Sequence, residues 1–510
     1  MKQYYLGIEF GSTRVKAVLI DGEHRIVKSG DYTWKSSLEN GVWTYHMEDV
    51  QTGLRTAIRN LGELPGAVSA MGISGMMHGY LAFDKDWNLL APFRTWQNTM
   101  TGEAAEQLTA EFGFNIPQRW SIAHLYQAVL NGEAHVKNIA HITTLAGYVH
   151  YLLTGENVLG VGEASGMFPI DSEALDYDAA MLEKFDALIA KYGFAWTARS
   201  VLPKVLTAGQ AAGALAQAGS TFLDGLLSAG IPFCPPEGDA GTGMTATNAV
   251  APRTGNVSAG TSIFAMVVLE KPLSKVYQEI DMVTTPSGKP VAMVHCNNCT
   301  NDMNAWVSLL GETAKLFGAE VSTGELFTKL YQKSLEGDAD CSGVLTYNYM
   351  AGEGITHLDE GRPMVVRKPE SSFTLANFLR SQLYATMSTL KLGMDILAEE
   401  HVAIDSLTGH GGLFKTPVVG QKYMAAACRA PVTCMESAGE GGPYGMALLA
   451  SYLVQKQDGQ TLEQYLETEI FADVKRTTLA PDPEDEAGFD RYLSWYRSAL
   501  AAENAAVKAF

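Results

Sequence analysis

The chain has 510 residues, 46% hydrophobic and 18% charged, too long for one ordinary core and typical of a folded protein with two domains. Its 56 Asp and Glu outweigh 37 Lys and Arg, and the net charge of −19 argues against nucleic acid and anionic membrane surfaces as partners. Six cysteines do not make a secreted disulfide framework, Glu9 interrupts any N-terminal signal run, and the longest apolar stretch, 257–269, is too short to span a bilayer. A cytoplasmic location is expected.

In chain order, residues 4–10 and 15–20 read as two buried strands joined by Gly11-Ser12-Thr13-Arg14. A helix is expected at about 48–61 and a strand at 68–74. Further helices are expected at 102–112, 121–131, 141–153, 205–218 and 220–229, and residues 230–236 read as a strand entering a Pro-Pro turn. A second strand–turn–strand opens at Asn256 and runs through Gly260-Thr261-Ser262. Helices at 373–400, 417–428 and 441–456 follow, then a charged linker, 481–490, before a terminal helix. The two halves thus open alike, with a small polar turn between strands, which suggests related domains facing one another across a cleft.

Several residue types could carry chemistry. Gly11-Ser12-Thr13 and Gly260-Thr261-Ser262 are either hairpin turns or concavities whose backbone N–H groups receive an anion, with Lys16 just beyond the first. Glu9 is either a strand-end residue or a carboxylate for magnesium. Asp239, in Pro235-Pro236-Glu237-Gly238-Asp239, is either the N-cap of a helix running to about Ala249 or a general base. Met77-His78-Gly79 follows a strand, where His78 would be exposed, and Trp96-Gln97-Asn98 offers an aromatic face and two amides. Gly409 to Thr416 is a Gly-rich turn that could admit a nucleoside on Gly411, Gly412 and Lys415, although it lacks P-loop spacing. Gly439-Glu440-Gly441-Gly442 opens the next helix. Cys296 and Cys299 form an isolated C-x-x-C with no second pair at zinc-ligand spacing.

The order of these segments resembles the FGGY family of carbohydrate kinases. Residues 7–16 resemble its first phosphate loop, Met77-His78-Gly79 and Trp96-Gln97-Asn98 its sugar-contacting loops, and Gly238-Asp239 the segment with its catalytic aspartate. Gly260-Thr261-Ser262 is similar to the second phosphate loop, Gly409 to Lys415 to the adenosine loop, and Glu440 to Ala447 to the helix start after it. The resemblance implies an α/β fold of two actin-like, ribonuclease H-like ATPase domains facing a central cleft, here 1–248 and 249–510. It implies ATP and Mg2+ as cofactors, Glu9 toward the metal, Asp239 as catalytic base that also touches the sugar, and a small-molecule sugar partner. A homodimer is left open.

Departures from the family pattern shape the substrate expectation. Glu9 stands where the family has Asp, Gly352-Glu353-Gly354 where it has Gly-Glu-Arg, and His410 lies among the glycines of the adenosine loop. Asn98 stands where xylulokinases have a carboxylate, which points to a ketopentose or close relative other than D-xylulose. Rival readings are a kinase for another polyol or aldonate, an actin-like ATPase without a small-molecule acceptor, and a sugar-binding regulator without turnover.

Overall fold

The computed structural model describes residues 3–435 and 441–509. The chain packs as two compact units, and neither is contiguous in sequence. The first comprises Met1–Pro252, Glu270–Val291 and Glu440–Asp473; the second comprises Arg253–Leu269, Ala292–Gly439 and Val474–Phe510. Where the sequence reading divides the chain once, at 248/249, two later segments thus return to the first unit.

The first unit is built on a five-stranded sheet. Tyr4–Phe10, Arg14–Asp21 and Ile26–Thr33 form an antiparallel meander, and Val68–Gly75 and then Glu237–Gly238 add in parallel on the other side of Tyr4–Phe10. Numbered in chain order, the strands lie 3-2-1-4-5. The alternation of the first strand assigns its faces. Leu6, Ile8 and Phe10 join one core with Val50, Leu54, Ala57 and Ile58, the apolar stripe of helix Met47–Arg59. Gly7 and Glu9 point to the opposite face, where helix Gly441–Gln455 passes.

The second unit repeats this plan. Thr254–Ala259 pairs antiparallel with Ile263–Val268 and parallel with Ser406–Gly411, which pairs parallel with Val432–Met435. The five strands that match those of the first sheet, with Pro290–Cys296 beside Ile263–Val268, again run 3-2-1-4-5 when numbered among themselves, and Arg476–Leu479 extends one edge antiparallel. The similar openings of the two halves therefore reflect equivalent sheets. The long helix Leu375–Glu399 starts at Thr374, whose hydroxyl accepts from the Asn377 amide at 3.2 Å.

Four elements differ from expectation for local reasons. The helices expected at 205–218 and 220–229 reduce to Gln217–Phe222, because Gly209 and Gly213 adopt φ of +82° and +90° and Lys204–Leu206 pairs as a strand with Val158–Gly160. The helix expected from 141 begins at Leu145, since His141–Thr143 pairs with Leu81–Phe83 and Thr144 caps the helix that follows. The expected linker 481–490 is mostly helix. Pro483 opens Pro483–Ala509, where its missing N–H costs nothing, and Asp482 Oδ1 accepts from the Glu484 and Asp485 amides at 3.0 and 3.2 Å. Among the described residues, no helix is long and apolar enough to cross a membrane.

Candidate active site

In the first unit, three parallel strands end side by side. Their register pairs Glu9 and Phe10 with Ser74 and Gly75, and Ser74 and Gly75 with Glu237 and Gly238. The carboxyl ends of these strands therefore deliver Gly11-Ser12-Thr13, Met77-His78-Gly79 and Asp239 to one edge of the sheet, the usual ligand side of an open α/β sheet.

Asp239 is the first residue of helix Asp239–Ala246, and Gly238 rather than Asp239 is its N-cap, which corrects the capping alternative. Its Oδ1 accepts from the Ala240 amide at 2.9 Å and the Met77 amide at 3.3 Å, so the carboxylate is aimed by backbone. Asp239 is exposed at its surface, yet desolvation by the protein around it raises its carboxyl above the ordinary aspartate value. The amide bonds from Met77 and Ala240 and the positive charge of Arg119 oppose that rise. Arg119 is itself paired with Asp281, which also accepts from Asn115 Nδ2 at 3.2 Å.

Glu9 faces the same edge. Burial, then the charge of Asp239, push its carboxyl up to about 8, while Lys16, its partner across the antiparallel ladder, pulls the other way. Among the described residues, Glu9 Oε2 is buried without a hydrogen-bond partner. The oxygen sits where a side chain on Gly442 would be, since a Cβ there would lie 1.6 Å away. Of the helix start singled out in the sequence, Gly439 and Glu440 lie outside the described residues.

The first loop is anchored from behind by aromatic residues that sequence reasoning missed. Trp34 Nε1 donates to the Gly11 carbonyl and Tyr45 OH to that of Ser12, both at 2.7 Å, and the Trp34 amide donates to the Thr13 carbonyl at 3.1 Å. The Trp34 and Tyr45 rings stack at 4.2 Å. Ser12 and Thr13 remain exposed.

The sugar-loop residues divide. His78 is buried rather than exposed, in contrast to the sequence expectation. It adopts φ 71°, uncommon for a residue with a side chain, stacks on Trp120, and its Nδ1 lies 3.0 Å from the Gly166 carbonyl. Trp96 is 37% exposed, as a stacking face requires, and among the described residues Gln97 Oε1 is buried without a hydrogen-bond partner. Asn98 is corrected. It is buried; its Oδ1 accepts from the Trp43 amide at 2.9 Å, and its Nδ2 donates to the Trp43 and Thr95 carbonyls at 2.9 Å. Its amide ties the strand Val42–Thr44 to the loop instead of presenting itself to a sugar. Asn98 therefore gives no ground for setting D-xylulose aside.

Behind Asp239 lies a pair of buried acids that the sequence reading passed over. Glu237 Oε2 accepts from the Glu163 amide at 2.9 Å, while among the described residues Glu237 Oε1 and both Glu163 carboxyl oxygens are buried without hydrogen-bond partners. Burial pushes Glu237 up to about 8 and Glu163 well above the ordinary glutamate value, the latter also under the negative charges of Asp239 and Glu237. An acid inside the otherwise small and apolar run 157–168 was the available signal for Glu163.

In the second unit, the parallel register sets Ser258 and Ala259 beside His410 and Gly411. Gly260-Thr261-Ser262 and the exposed Gly411 and Gly412 thus continue from adjacent strand ends, with Lys415 exposed one short turn later. Burial lowers His410 below its ordinary value. The six described cysteines are free, and no group of three or more His, Cys, Asp or Glu able to hold a metal is present among the described residues.

Comparison with known proteins bears on what this arrangement does. The model of the N-terminal domain of the FGGY family of carbohydrate kinases matches residues 4–244, and that of the C-terminal domain matches residues 255–454. The xylulose kinase of Haemophilus influenzae is 22% identical over 96% of this chain and 99% of its own length. The glycerol kinase of Thermococcus kodakarensis is 27% identical over 53% of this chain and 54% of its own length. A solved xylulose kinase from Brucella ovis superposes with a TM-score of 0.79 at 20% identity, covering 98% of this chain and 99% of its own. A solved gluconate kinase from Lactobacillus acidophilus superposes with a TM-score of 0.80 at 17% identity, covering 99% of both chains.

Proposed function

The chain belongs to the FGGY family of carbohydrate kinases, and from that we propose that it phosphorylates a ketopentose, such as xylulose or ribulose, with Asp239 as the general base. The family membership and the two-domain actin-like fold make it a phosphotransferase. The single observation that carries the assignment within the chain is Asp239. It is the carboxylate at the strand-end edge that is both open to solvent and aimed by two backbone amides.

In this reading Asp239 accepts the proton of the attacking hydroxyl, and its raised carboxyl is a stronger base than an ordinary aspartate. Met77 orients that carboxylate through its amide, and Trp96 supplies a face for the sugar ring. The residues also fit a magnesium ion. The unpartnered, buried Glu9 Oε2 beside the like-charged Asp239 is a donor that a divalent cation would satisfy. Glu9 would hold the ion, directly or through water, and the metal when bound offsets phosphate charge. Gly11-Ser12-Thr13 with Lys16, and Gly260-Thr261-Ser262, are read as the loops for the ATP phosphates; Gly411, Gly412 and Lys415 are read as the nucleoside site. Phosphoryl transfer of this kind depends on positioning and charge stabilisation, which the anchored first loop is built to provide.

The ketopentose assignment is supported by the near full-length similarity to a protein named xylulose kinase. The test is ADP release screened against ketopentoses, polyols and aldonates, on the parent and on Asp239→Asn. Fastest turnover on a ketopentose is expected, with kcat lowered by roughly 10²–10⁴ in Asp239→Asn while sugar binding persists. Fastest turnover on glycerol or gluconate would refute the substrate class. Turnover near the parent's in Asp239→Asn would refute the base.

A further inference from the structure

Among the described residues, the second loop has no aromatic anchors like those of the first and is held by another device. The Gly260 carbonyl accepts from the Thr300 amide at 3.2 Å and from the Thr300 hydroxyl at 2.7 Å, and the Thr261 carbonyl accepts from the Cys299 amide at 3.0 Å. The loop is therefore as well placed as residues 299–300 are. Those residues continue from Asn297 and Asn298, whose amides both donate to one oxygen, Glu353 Oε2, at 3.0 and 3.3 Å, and Asn298 Nδ2 donates to it at 3.1 Å. Glu353 is 1% exposed, and its backbone is locked to Leu358 by hydrogen bonds in both directions. The segment leading to it reinforces the grip. Asn298 Oδ1 accepts from the Met350 and Ala351 amides at 2.8 and 3.0 Å, and Asn348 Nδ2 donates to the Cys299 carbonyl at 2.8 Å.

We propose that Glu353 is a positioning residue for nucleotide binding: through Asn297–Thr300 it sets the backbone of Gly260-Thr261, two steps removed from any ligand. The inference rests on the reading of Gly260-Thr261-Ser262 as a phosphate loop. A carboxylate accepting three N–H groups on one oxygen holds a turn more rigidly than neutral acceptors do, because charge-assisted bonds are about twice as strong. Loss of that grip loosens a loop whose function is orientation, so the cost appears in nucleotide affinity while the sugar site, built on other residues, keeps its own.

The experiment measures KM for MgATP and for sugar separately in three variants of the full chain. Glu353→Gln keeps the shape and an oxygen for the three donors but removes the charge that strengthens those bonds. Thr300→Val removes the hydroxyl bond to Gly260 and keeps the fold if the first variant is too unstable to assay. Gly260→Val reports on the loop itself, since the space beside its Cα is open, the nearest protein atom lying 4.0 Å from an added Cβ. Expected is a rise of about three- to tenfold in KM for MgATP for Glu353→Gln and for Thr300→Val, with KM for sugar unchanged. A fourth variant that combines Glu353→Gln with Thr300→Val should show less than the product of the two effects, because both act through one chain of bonds. If Gly260→Val raises KM for MgATP but Glu353→Gln and Thr300→Val leave it at the parent value, the positioning role is overturned and the phosphate-loop reading stands. If Gly260→Val has no effect on KM for MgATP, the loop reading falls and the inference with it.

Discussion

Replacing Glu237 by glutamine tests the buried acid pair behind Asp239. Glu237 is 1% exposed, and burial raises its carboxyl from 4.5 to about 8. A carboxyl whose folded pKa lies above its unfolded value binds its proton more tightly when folded. Its stabilising contribution is therefore complete below pH 4.5 and is lost as pH rises through about 8. At 1.36 kcal/mol for each pH unit between those values, the parent loses about 5 kcal/mol across the window on account of this one side chain. The glutamine side chain would carry no charge at any pH and have nearly the same shape, with its oxygen still able to accept from the Glu163 amide. Thermal unfolding of parent and Glu237→Gln, followed by intrinsic fluorescence from pH 5 to pH 9, reads the difference. The variant's Tm should gain on the parent's with rising pH, by roughly 6 °C over the range, since about 4 kcal/mol of that loss falls between pH 5 and about 8 and a unit of about 300 residues shifts by about 1.5 °C per kcal/mol. A Tm difference that stays constant from pH 5 to pH 9 would show that Glu237 ionises freely in the folded protein and that the burial argument fails.

Two further substitutions separate structural from ligand-directed roles. Asn98→Asp should lower stability by about 1–3 kcal/mol, because a carboxylate cannot donate to the Trp43 and Thr95 carbonyls, with relative rates on D-xylulose, L-xylulose, D-ribulose and L-ribulose unchanged; a reordering of those rates would return Asn98 to the sugar site. Gly442→Ala must displace the Glu9 carboxylate, whose Oε2 lies 1.6 Å from the added Cβ, and should raise the magnesium concentration for half-maximal rate by roughly tenfold. A magnesium titration matching the parent's would remove Glu9 from the metal site.

Much of the candidate site was legible because it lies where local pattern is strongest. Asp239 follows only the two-residue strand Glu237–Gly238, but Gly11-Ser12-Thr13 and Met77-His78-Gly79 each follow a buried apolar strand, with Glu9 next to the end of the first, and such a strand end is readable from periodicity and a Gly break alone. The same holds for Gly260-Thr261-Ser262. Prediction failed where small residues masked the pattern, as at 205–218, whose alanines suit a helix while Gly209 and Gly213 take left-handed φ. It failed too at 481–490, where proline and charge suggest a linker but describe equally well the first turn of a helix.

The sequence by itself determined residue types, the places of the main strands and the repeated strand–turn–strand that opens each half, because these depend on neighbours within a few positions. Only the tertiary structure decided what each polar group meets. Asn98 finds Trp43 55 residues away, Arg119 finds Asp281 162 residues away, and Asn297 finds Glu353 56 residues away. Burial and hydrogen-bond partners over such separations are properties of the packed chain, so Asn98 reads as a sugar contact in one dimension and is a strut in three. Glu353, for the same reason, is only a departure from a motif until the turn it grips is seen.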